Sequence, residues 1–256
     1  EVLEINKLHR GDCLELMHQI DDKSIDMILC DLPYGTTACK WDSVIPFEPL
    51  WAHYKRIIKD NGAIVLTASQ PFTSALVMSN IKMFKYEWIW VKNRVTGFAN
   101  AKKRPLKNCE DILIFSNGTP RYRPQGLEKI NKILKNSKSV GGNTMRLSIE
   151  SDEGEERLRT VGESYLQEFT GYPRQVIANV KEGHKKEHPT QKPVALFEYL
   201  IKTYTNEGEL VLDNCAGSGT TAIACLGTNR NFILMEREKN YCDIANKRIA
   251  DILELT

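Results

Sequence analysis

The sequence Val211-Leu-Asp-Asn-Cys-Ala-Gly217-Ser-Gly219-Thr-Thr-Ala222 is a glycine-rich turn between a strand pattern and a helical pattern. Glycines at such a turn let a ligand approach the backbone, and the helix N-terminus follows directly. Glu236 ends the next predicted strand, where an acid can accept hydrogen bonds from both hydroxyls of a ribose. No Lys follows Gly219, which excludes a P-loop. The turn alone also fits an ordinary tight turn, but strand, helix and acid together predict a nucleoside cofactor.

Strand and helix patterns alternate along the chain on both sides of this turn. Short apolar runs predict strands at 24–30, 62–67, 86–91, 111–115, 209–213 and 231–235. Helical spacing of apolar residues predicts helices at 47–59, 72–81, 193–204, 219–226 and 238–253. Such alternation is typical of a doubly wound α/β fold, in which helices cover both faces of a mostly parallel sheet.

Composition excludes several classes of protein. Hydrophobic residues make up 41% and charged residues 27% of the 256 residues, which is typical of a globular chain and not of a disordered or collagen-like one. The seven cysteines are scattered without a Cys-x-x-Cys pair, so we expect neither a disulfide framework nor a metal site. No apolar run approaches the roughly 18 residues that cross a bilayer. We therefore expect a cytoplasmic protein with reduced thiols and no membrane contact.

Charge is unevenly distributed, although the net charge is only +2. Seven Lys or Arg lie in 85–107 and seven more in 119–146, each set beside a single acid, whereas 150–168 holds seven acids. This polarity favours a surface for a polyanion. The weakly periodic segment 117–186 carries the second basic set, and we interpret it as an insertion that contacts the ligand. We expect its acidic stretch to be a solvated helix face; an interface to a second subunit is the alternative.

Asp31-Leu-Pro-Tyr34 directly follows a predicted buried strand, at the carboxyl edge of the sheet. The carboxylate can accept a hydrogen bond from an exocyclic amine, and a carbonyl beside the rigid proline can accept another. The Tyr ring can stack on a flat base. Taken alone, the tetrapeptide fits a plain turn with a half-buried Tyr equally well.

The order of the motifs resembles the permuted β class of DNA amino-methyltransferases, which make N6-methyladenine or N4-methylcytosine. That family has an Asp/Ser/Asn-Pro-Pro-Tyr motif, a target-recognition insertion, a His-Pro-Thr-Gln-Lys-Pro segment and a Gly-rich cofactor loop. This chain has, in the same order, Asp31-Leu-Pro-Tyr34, the segment 117–186, His188-Pro-Thr-Gln-Lys-Pro193 and Asp213-Asn-Cys-Ala-Gly-Ser-Gly-Thr-Thr221. The resemblance implies a Rossmann-like methyltransferase sheet built from a catalytic half, 1–116, and a cofactor-binding half, 187–256, around a target-recognition insertion, 117–186.

The resemblance also implies an activity and site residues. The expected reaction moves a methyl group from S-adenosylmethionine to the N6 amine of a flipped-out adenine in double-stranded DNA. The implied catalytic residues are Asp31, Pro33 and Tyr34. The implied cofactor-binding residues are Asp12, Cys13, Asp31, Thr190, Lys192, Pro193, Asp213, Asn214, Ala216, Gly217, Ser218, Gly219, Thr220 and Glu236. The basic clusters supply the expected DNA contacts, which are Lys102, Lys103, Arg104, Arg121, Arg123, Lys129, Lys132 and Lys135.

Two departures from the family pattern accompany the resemblance. Leu32 replaces the first Pro of the catalytic motif, which loosens the turn, and Asn214-Cys215 replaces Pro-Phe, which removes an aromatic that commonly packs near the adenine. Asp at position 31 favours adenine, but an N4-cytosine methyltransferase and a catalytically silent DNA-binding homologue stay open as alternatives. A dehydrogenase leaves the motifs at 31–34 and 188–193 unexplained. A homodimer and a cognate restriction enzyme are further partners that the sequence leaves undecided.

Overall fold

The computed structural model describes residues 2–36, 43–135, 148–150, 156–158, 164–180 and 191–254. Contacts divide the chain into a larger unit, Glu1–Arg123 with Arg174–Thr256, and a smaller unit, Pro124–Pro173. Both ends of the smaller unit lie within the proposed insertion 117–186. None of the described helices is long and apolar enough to cross a membrane.

The described residues form strands and helices in close alternation. The strands are β1 (Lys7–Arg10), β2 (Ile25–Cys30), β3 (Ile58–Ala68), β4 (Phe84–Thr96), β5 (Lys107–Phe115), β6 (Glu128–Lys135), β7 (Ser148–Glu150), β8 (Glu156–Leu158), β9 (Ser164–Thr170), β10 (Val176–Ile177), β11 (Leu210–Asp213) and β12 (Asn231–Glu236). The helices are α1 (Cys13–Leu16), α2 (Phe47–Ile57), α3 (Phe72–Ser79), α4 (Val194–Tyr204), α5 (Thr220–Leu226) and α6 (Lys239–Leu253). Each of the five helices predicted from apolar spacing is present, with its ends within two residues of the prediction.

One large sheet organises the larger unit, in the order β1-β12-β11-β2-β3-β5-β4-β10. All neighbouring strands in it are parallel except β5, which is antiparallel to β3 and β4. In the smaller unit, β6 pairs with β9 and β7 with β8, both antiparallel. The predicted doubly wound, mostly parallel α/β fold is therefore confirmed.

Successive residues of the central strands enter two separate cores, one on each face of the sheet. Ile28 and Cys30 of β2 pack into the first core with α2 and α3, whereas Met27 and Leu29 pack into the second with α4, α5 and α6. Every residue of β2 is buried, as expected for a parallel strand covered on both faces. This burial explains why the strand is apolar except at Asp26, whose carboxylate pairs with Lys59, and why it was recognisable from the sequence.

Two expectations about secondary structure need correction. Strand β1 was missed because Lys-Leu-His-Arg has no apolar run and lies half-exposed at the sheet edge. The helix expected in the acidic stretch is wrong where the chain is described, because 148–150, 156–158 and 164–170 are strands. A solvated row of acids suits one face of a strand as well as one face of a helix, so charge alone could not separate them.

The sheet changes winding direction between β2 and β11. After β2 the chain crosses the first face through α2, and after β11 it crosses the second face through α5. The two strands are parallel neighbours, with Met27 opposite Val211 and Ile28 opposite Leu212. In open α/β sheets, ligands bind in the crevice at the carboxyl ends of strands at such a switch point.

Candidate active site

A cavity of about 630 Å³ opens at this crevice, within the range of small-molecule sites. Its walls come from the turn before α1, the loops after β2, β11 and β12, the strands β4 and β5, and the segment before α4. The proposed site residues that line it are Asp12, Cys13, Asp31, Pro33, Tyr34, Lys192, Asn214, Ala216, Gly217, Ser218, Thr220 and Glu236. Residues from both ends of the sequence therefore meet in one site.

The Asp31 carboxylate, at the end of β2, is held from both of its oxygens. Its Oδ1 accepts hydrogen bonds from the Tyr34 hydroxyl at 2.9 Å and from the Thr67 hydroxyl. Its Oδ2 accepts one from the Lys192 ammonium at 2.6 Å. The Asp31 side chain keeps 25% of its surface exposed, so it is oriented by the protein and still open to the cavity.

Lys192 belongs to a chain of alternating charges along the cavity wall. Its Nζ lies 3.3 Å from Oε2 of Glu110 on β5, and Lys92 on β4 donates to Oε1 of Glu110 at 2.9 Å. Burial alone would lower the pKa of Lys192, but the Asp31 and Glu110 carboxylates outweigh burial and raise it. Lys192 is therefore a cation, and it faces two carboxylates of the protein itself.

Tyr34 is fixed by both its ring and its hydroxyl. The ring stacks on Phe72 of α3, with centroids 5.1 Å apart and planes at 22°. Burial, followed by the nearby Asp31 charge, raises the pKa of the Tyr34 hydroxyl, which therefore stays protonated and donates its hydrogen bond to Asp31. Phe72 covers one face of the ring and the Lys192 ammonium lies 5.8 Å from its centroid, so at most one face can take part in the stacking on a base that the sequence predicts.

The two glycines of the cofactor loop differ in what surrounds them. Both have left-handed φ angles, 50° at Gly217 and 77° at Gly219. A Cβ on Gly217 would meet nothing within 4 Å, and this residue lines the cavity. A Cβ on Gly219 would lie 2.9 Å from Cβ of Ala245. Gly217 thus leaves room for a ligand, whereas Gly219 permits α5 to pack against α6.

The Glu236 side chain, at the end of β12, is hydrogen-bonded to the glycine loop. Its Oε2 accepts a hydrogen bond from the Gly217 amide and its Oε1 one from the Glu238 amide, both at 2.8 Å. Each carboxylate oxygen has a second lone pair, so both can still accept a bond from a ligand hydroxyl. The carboxylate therefore shapes the loop and faces the cavity at the same time.

Asp213 and Pro193, which were proposed as cofactor-binding residues, lie behind the cavity wall. Burial raises the pKa of Asp213 to about 7, and its carboxylate accepts bonds from the Cys215 amide at 3.0 Å and the Thr221 hydroxyl at 2.5 Å. Pro193 is buried at the start of α4. Both hold the segments that carry wall residues. Thr190, the remaining proposed cofactor residue, lies outside the described residues.

The cavity wall also contains thiols, from Cys13 and Cys215. A hydrogen bond with Cys215, together with burial, raises the pKa of Cys13, and burial raises that of the neighbouring Cys30 to about 12. Since a thiolate is the nucleophilic form of cysteine, the thiols of Cys13 and Cys30 are poor nucleophiles.

The proposed DNA-contacting residues fall into three groups. Lys102, Lys103, Arg104, Arg123, Lys129 and Lys132 are exposed. The guanidinium of Arg121 is half-buried and paired with the Glu209 carboxylate, so its charge already has a partner. The side chain of Lys135 lies outside the described part of the chain.

Several polar residues at the site were not predicted from the sequence, among them Lys92 and Glu110 of the cavity wall and the buried Thr67, which donates to Asp31. Thr67 lies near the end of β3, so its position at the carboxyl edge was a usable signal. Lys92 and Glu110 meet across the antiparallel pairing of β4 with β5, and no spacing in the sequence indicates that pairing.

The chain matches a known family of enzymes over most of its length. A family model described as DNA methylase, of the N6/N4 methyltransferases, matches residues 25–247, and the chain belongs to that family. Type II methyltransferase M1.MboII of Moraxella bovis is 30% identical to it over 268 residues, which cover 96% of each chain. Type II methyltransferase M.HinfI of Haemophilus influenzae is 28% identical, over 97% of this chain and 69% of its own.

Solved structures agree with the fold. The crystal structure of the M1.HpyAVI–SAM complex has a TM-score of 0.58 and 24% identity, over 94% of this chain and 98% of its own. The PvuII cytosine-N4-specific DNA methyltransferase has a TM-score of 0.66 and 14% identity, over 99% of this chain and 93% of its own.

Proposed function

We propose that this DNA methyltransferase transfers a methyl group from S-adenosylmethionine to the N6 amine of an adenine in double-stranded DNA. The observation that carries the proposal is the single cavity that joins Asp31 and Tyr34 to the glycine loop and Glu236. An acceptor for an amine and a cradle for a nucleoside thus lie in one crevice, as methyl transfer between the two ligands requires.

The chemistry of the wall fits the cofactor. Glu236 offers carboxylate oxygens to ribose hydroxyls, and Gly217 leaves the backbone open beside them. S-adenosylmethionine supplies a methyl group on a positively charged sulfur. The Asp31 carboxylate suits the cofactor's amino group, and we assign the methionine carboxylate to the segment around Lys192, whose ammonium is the charge of the right sign.

Asp31 orients the target amine. The lone pair of an exocyclic amine is delocalised into the base, which makes it a weak nucleophile. Hydrogen bonds from the amine protons to Asp31 and to a main-chain carbonyl beside Pro33 favour the pyramidal nitrogen, whose lone pair then points at the methyl group. Tyr34, Thr67 and Lys192 hold the carboxylate still, so reorganisation costs little during the reaction.

The transfer is direct and has no covalent enzyme intermediate. The thiols of Cys13 and Cys30 have raised pKa values, and neither is a candidate nucleophile. The amine of a paired base lies within the stack, and the base must leave the helix to reach the cavity. The exposed Lys and Arg of 102–104 and of the insertion supply phosphate contacts.

Incubation of the protein with unmethylated genomic DNA and S-adenosylmethionine tests this function. After digestion to nucleosides, mass spectrometry should detect N6-methyladenine. Detection of N4-methylcytosine instead would establish the alternative substrate with the same site. Absence of both products, together with no binding of S-adenosylmethionine in calorimetry, would contradict the proposal.

A further inference from the structure

The antiparallel pair β4–β5 extends beyond the cavity as a hairpin, and its tip is residues 97–106. The strands pair as far as Thr96 opposite Lys107, and the Thr96 hydroxyl donates to the Lys107 carbonyl at 3.2 Å. Lys92 and Thr96 line the cavity on the same strand that leads into the tip. The hairpin tip is therefore continuous with the active-site wall.

The tip presents an aromatic ring to solvent on an ordered turn. Phe98 is 68% exposed, among the most exposed large hydrophobic side chains of the described residues. Gly97, with φ at 92°, starts a short 3₁₀ turn, and its carbonyl accepts the Asn100 amide at 2.9 Å. The Asn100 carbonyl in turn accepts the amides of Lys103 at 2.8 Å and Arg104 at 3.0 Å. The hydrogen-bonded backbone holds Phe98 outward, although exposure of a phenyl ring to water is unfavourable.

Three cations follow the ring within six residues. Lys102, Lys103 and Arg104 are all exposed, and none of them has a carboxylate partner among the ion pairs of the described residues. An exposed aromatic beside free cations matches a strand of nucleic acid, which offers base faces and phosphates together.

We propose that Phe98 is a wedge that enters the base stack of duplex DNA beside the target base, while Lys102, Lys103 and Arg104 hold the neighbouring phosphates. This inference rests on the proposed function. Apolar side chains inserted at a base step unstack it, and a base extruded from the duplex leaves a gap that an aromatic ring can fill by stacking. The hairpin thus stabilises the flipped state, whereas Asp31 acts on the base once it is in the cavity.

The test compares two duplexes that differ only opposite the target base. Sequencing of DNA methylated by the wild-type protein first identifies the target site. Oligonucleotide duplexes containing that site are then made with a normal partner base or with an abasic site opposite the target, and kcat/KM is measured on both. Extrusion of an unpaired target base requires less free energy, so methylation of the abasic duplex should depend less on Phe98.

Phe98→Ala should lower kcat/KM on the normal duplex by roughly 10- to 100-fold, the range of a lost base–aromatic stack. On the abasic duplex the loss should shrink to about threefold or less. Phe98→Trp should retain most of the activity on both. The matched control is Ile81→Ala, since Ile81 is 55% exposed beside Lys82 at the opposite end of β4. It should behave as wild type.

Four results would overturn the wedge. Equal losses on both duplexes, or no loss on either, would mean that Phe98 does not act on extrusion, although methylation by the wild type would still support the proposed function. A dimer that becomes a monomer in sedimentation on Phe98→Ala would make the ring part of a subunit interface. Failure of the wild type to methylate any DNA would contradict the proposed function and the wedge together.

Discussion

Asp31 is the residue on which the proposed chemistry depends, and its partly exposed carboxylate is hydrogen-bonded at both oxygens. Two hydroxyls and an ammonium fix it, and the ammonium is itself balanced by Glu110. Such preorganisation favours the reaction because these groups are oriented when the protein folds and need not reorient during methyl transfer. The same contacts also make Asp31 part of the local structure, so a test of its role must keep its shape.

Asp31→Asn keeps that shape and removes the charge. An amide holds the target amine less well, and its NH₂ group would face either the Lys192 ammonium or the two hydroxyls that donate to Asp31. We expect methyl transfer to fall by about 10²-fold or more, the usual effect of losing one preorganised polar group. Binding of S-adenosylmethionine in calorimetry should stay within about tenfold, or 1.4 kcal/mol. Near-normal turnover would exclude the assigned role; Asp21→Asn, at an exposed loop residue, is the control.

Glu236→Gln tests the cofactor loop at a single residue. Glutamine retains one acceptor for the Gly217 and Glu238 amides but loses the charge and the second acceptor. We expect the affinity for S-adenosylmethionine to fall by roughly 1–3 kcal/mol, as for other hydrogen bonds to charged groups. Calorimetry measures this directly. An unchanged Kd would place the ribose elsewhere.

At the scale of the element, the loop between β11 and α5 contains one glycine that lines the cavity, Gly217, and one that packs against α6, Gly219. Gly217→Ala adds a methyl at the cavity, whereas Gly219→Ala adds one against Ala245. Both cost roughly 1–2 kcal/mol from the left-handed backbone. Gly219→Ala should cost more because α6 must also shift, and it should show the larger fall in Tm. Gly217→Ala should show the larger fall in cofactor affinity. The reverse order would contradict these roles.

Asp213 makes the same loop sensitive to pH. Its pKa is raised to about 7 in the folded protein from an ordinary value of 3.8, so between these values the folded state binds more protons than the unfolded state. The free energy of unfolding should therefore fall as pH rises from about 4 to about 7, by at most roughly 1.4 kcal/mol per unit from this group. Asp213→Asn should lack this contribution. Urea unfolding of both proteins across this range measures the difference, and parallel pH profiles would contradict the raised pKa.

On the scale of the whole molecule, cations lie in both units of the chain. The smaller unit, Pro124–Pro173, carries Lys129 and Lys132, both exposed on β6. The larger unit carries the cavity and the hairpin tip at 97–106. We propose that the smaller unit supplies DNA contacts and that the chemistry stays in the larger one.

Replacement of Lys129 and Lys132 together by Ala should weaken duplex binding for all sequences. The slope of log K against log salt should fall by about 0.9 for each lost phosphate contact. S-adenosylmethionine affinity should not change. Lys202→Ala with Lys247→Ala, exposed cations on α4 and α6, is the matched control. A wild-type salt slope in the Lys129/Lys132 variant would show that these two residues do not bind phosphate.

The sequence by itself determined the five helices and the core strands of the larger unit, their order, and the motifs that end them. Apolar periodicity is local, so the helices and the core strands could be read directly, and Asp31, Tyr34, Gly217 and Glu236 followed from their places at strand ends. Asp31 and Asp213, 182 positions apart, were expected in one site because both lie in motifs of the family that the sequence resembles, and their strands, β2 and β11, are parallel neighbours in the sheet.

The tertiary structure alone decided how the charged groups are paired. Lys92, Glu110 and Lys192 form one chain because β5 lies antiparallel between β3 and β4 and α4 begins beside them, and no local pattern encodes that arrangement. The tertiary structure also gave different surroundings to the two glycines of the cofactor loop. The packing of α6 places Ala245 against Gly219, whereas nothing lies within 4 Å of a Cβ on Gly217. Pairing and packing over long separations depend on the whole chain, so these parts of the site emerge only when the fold is complete.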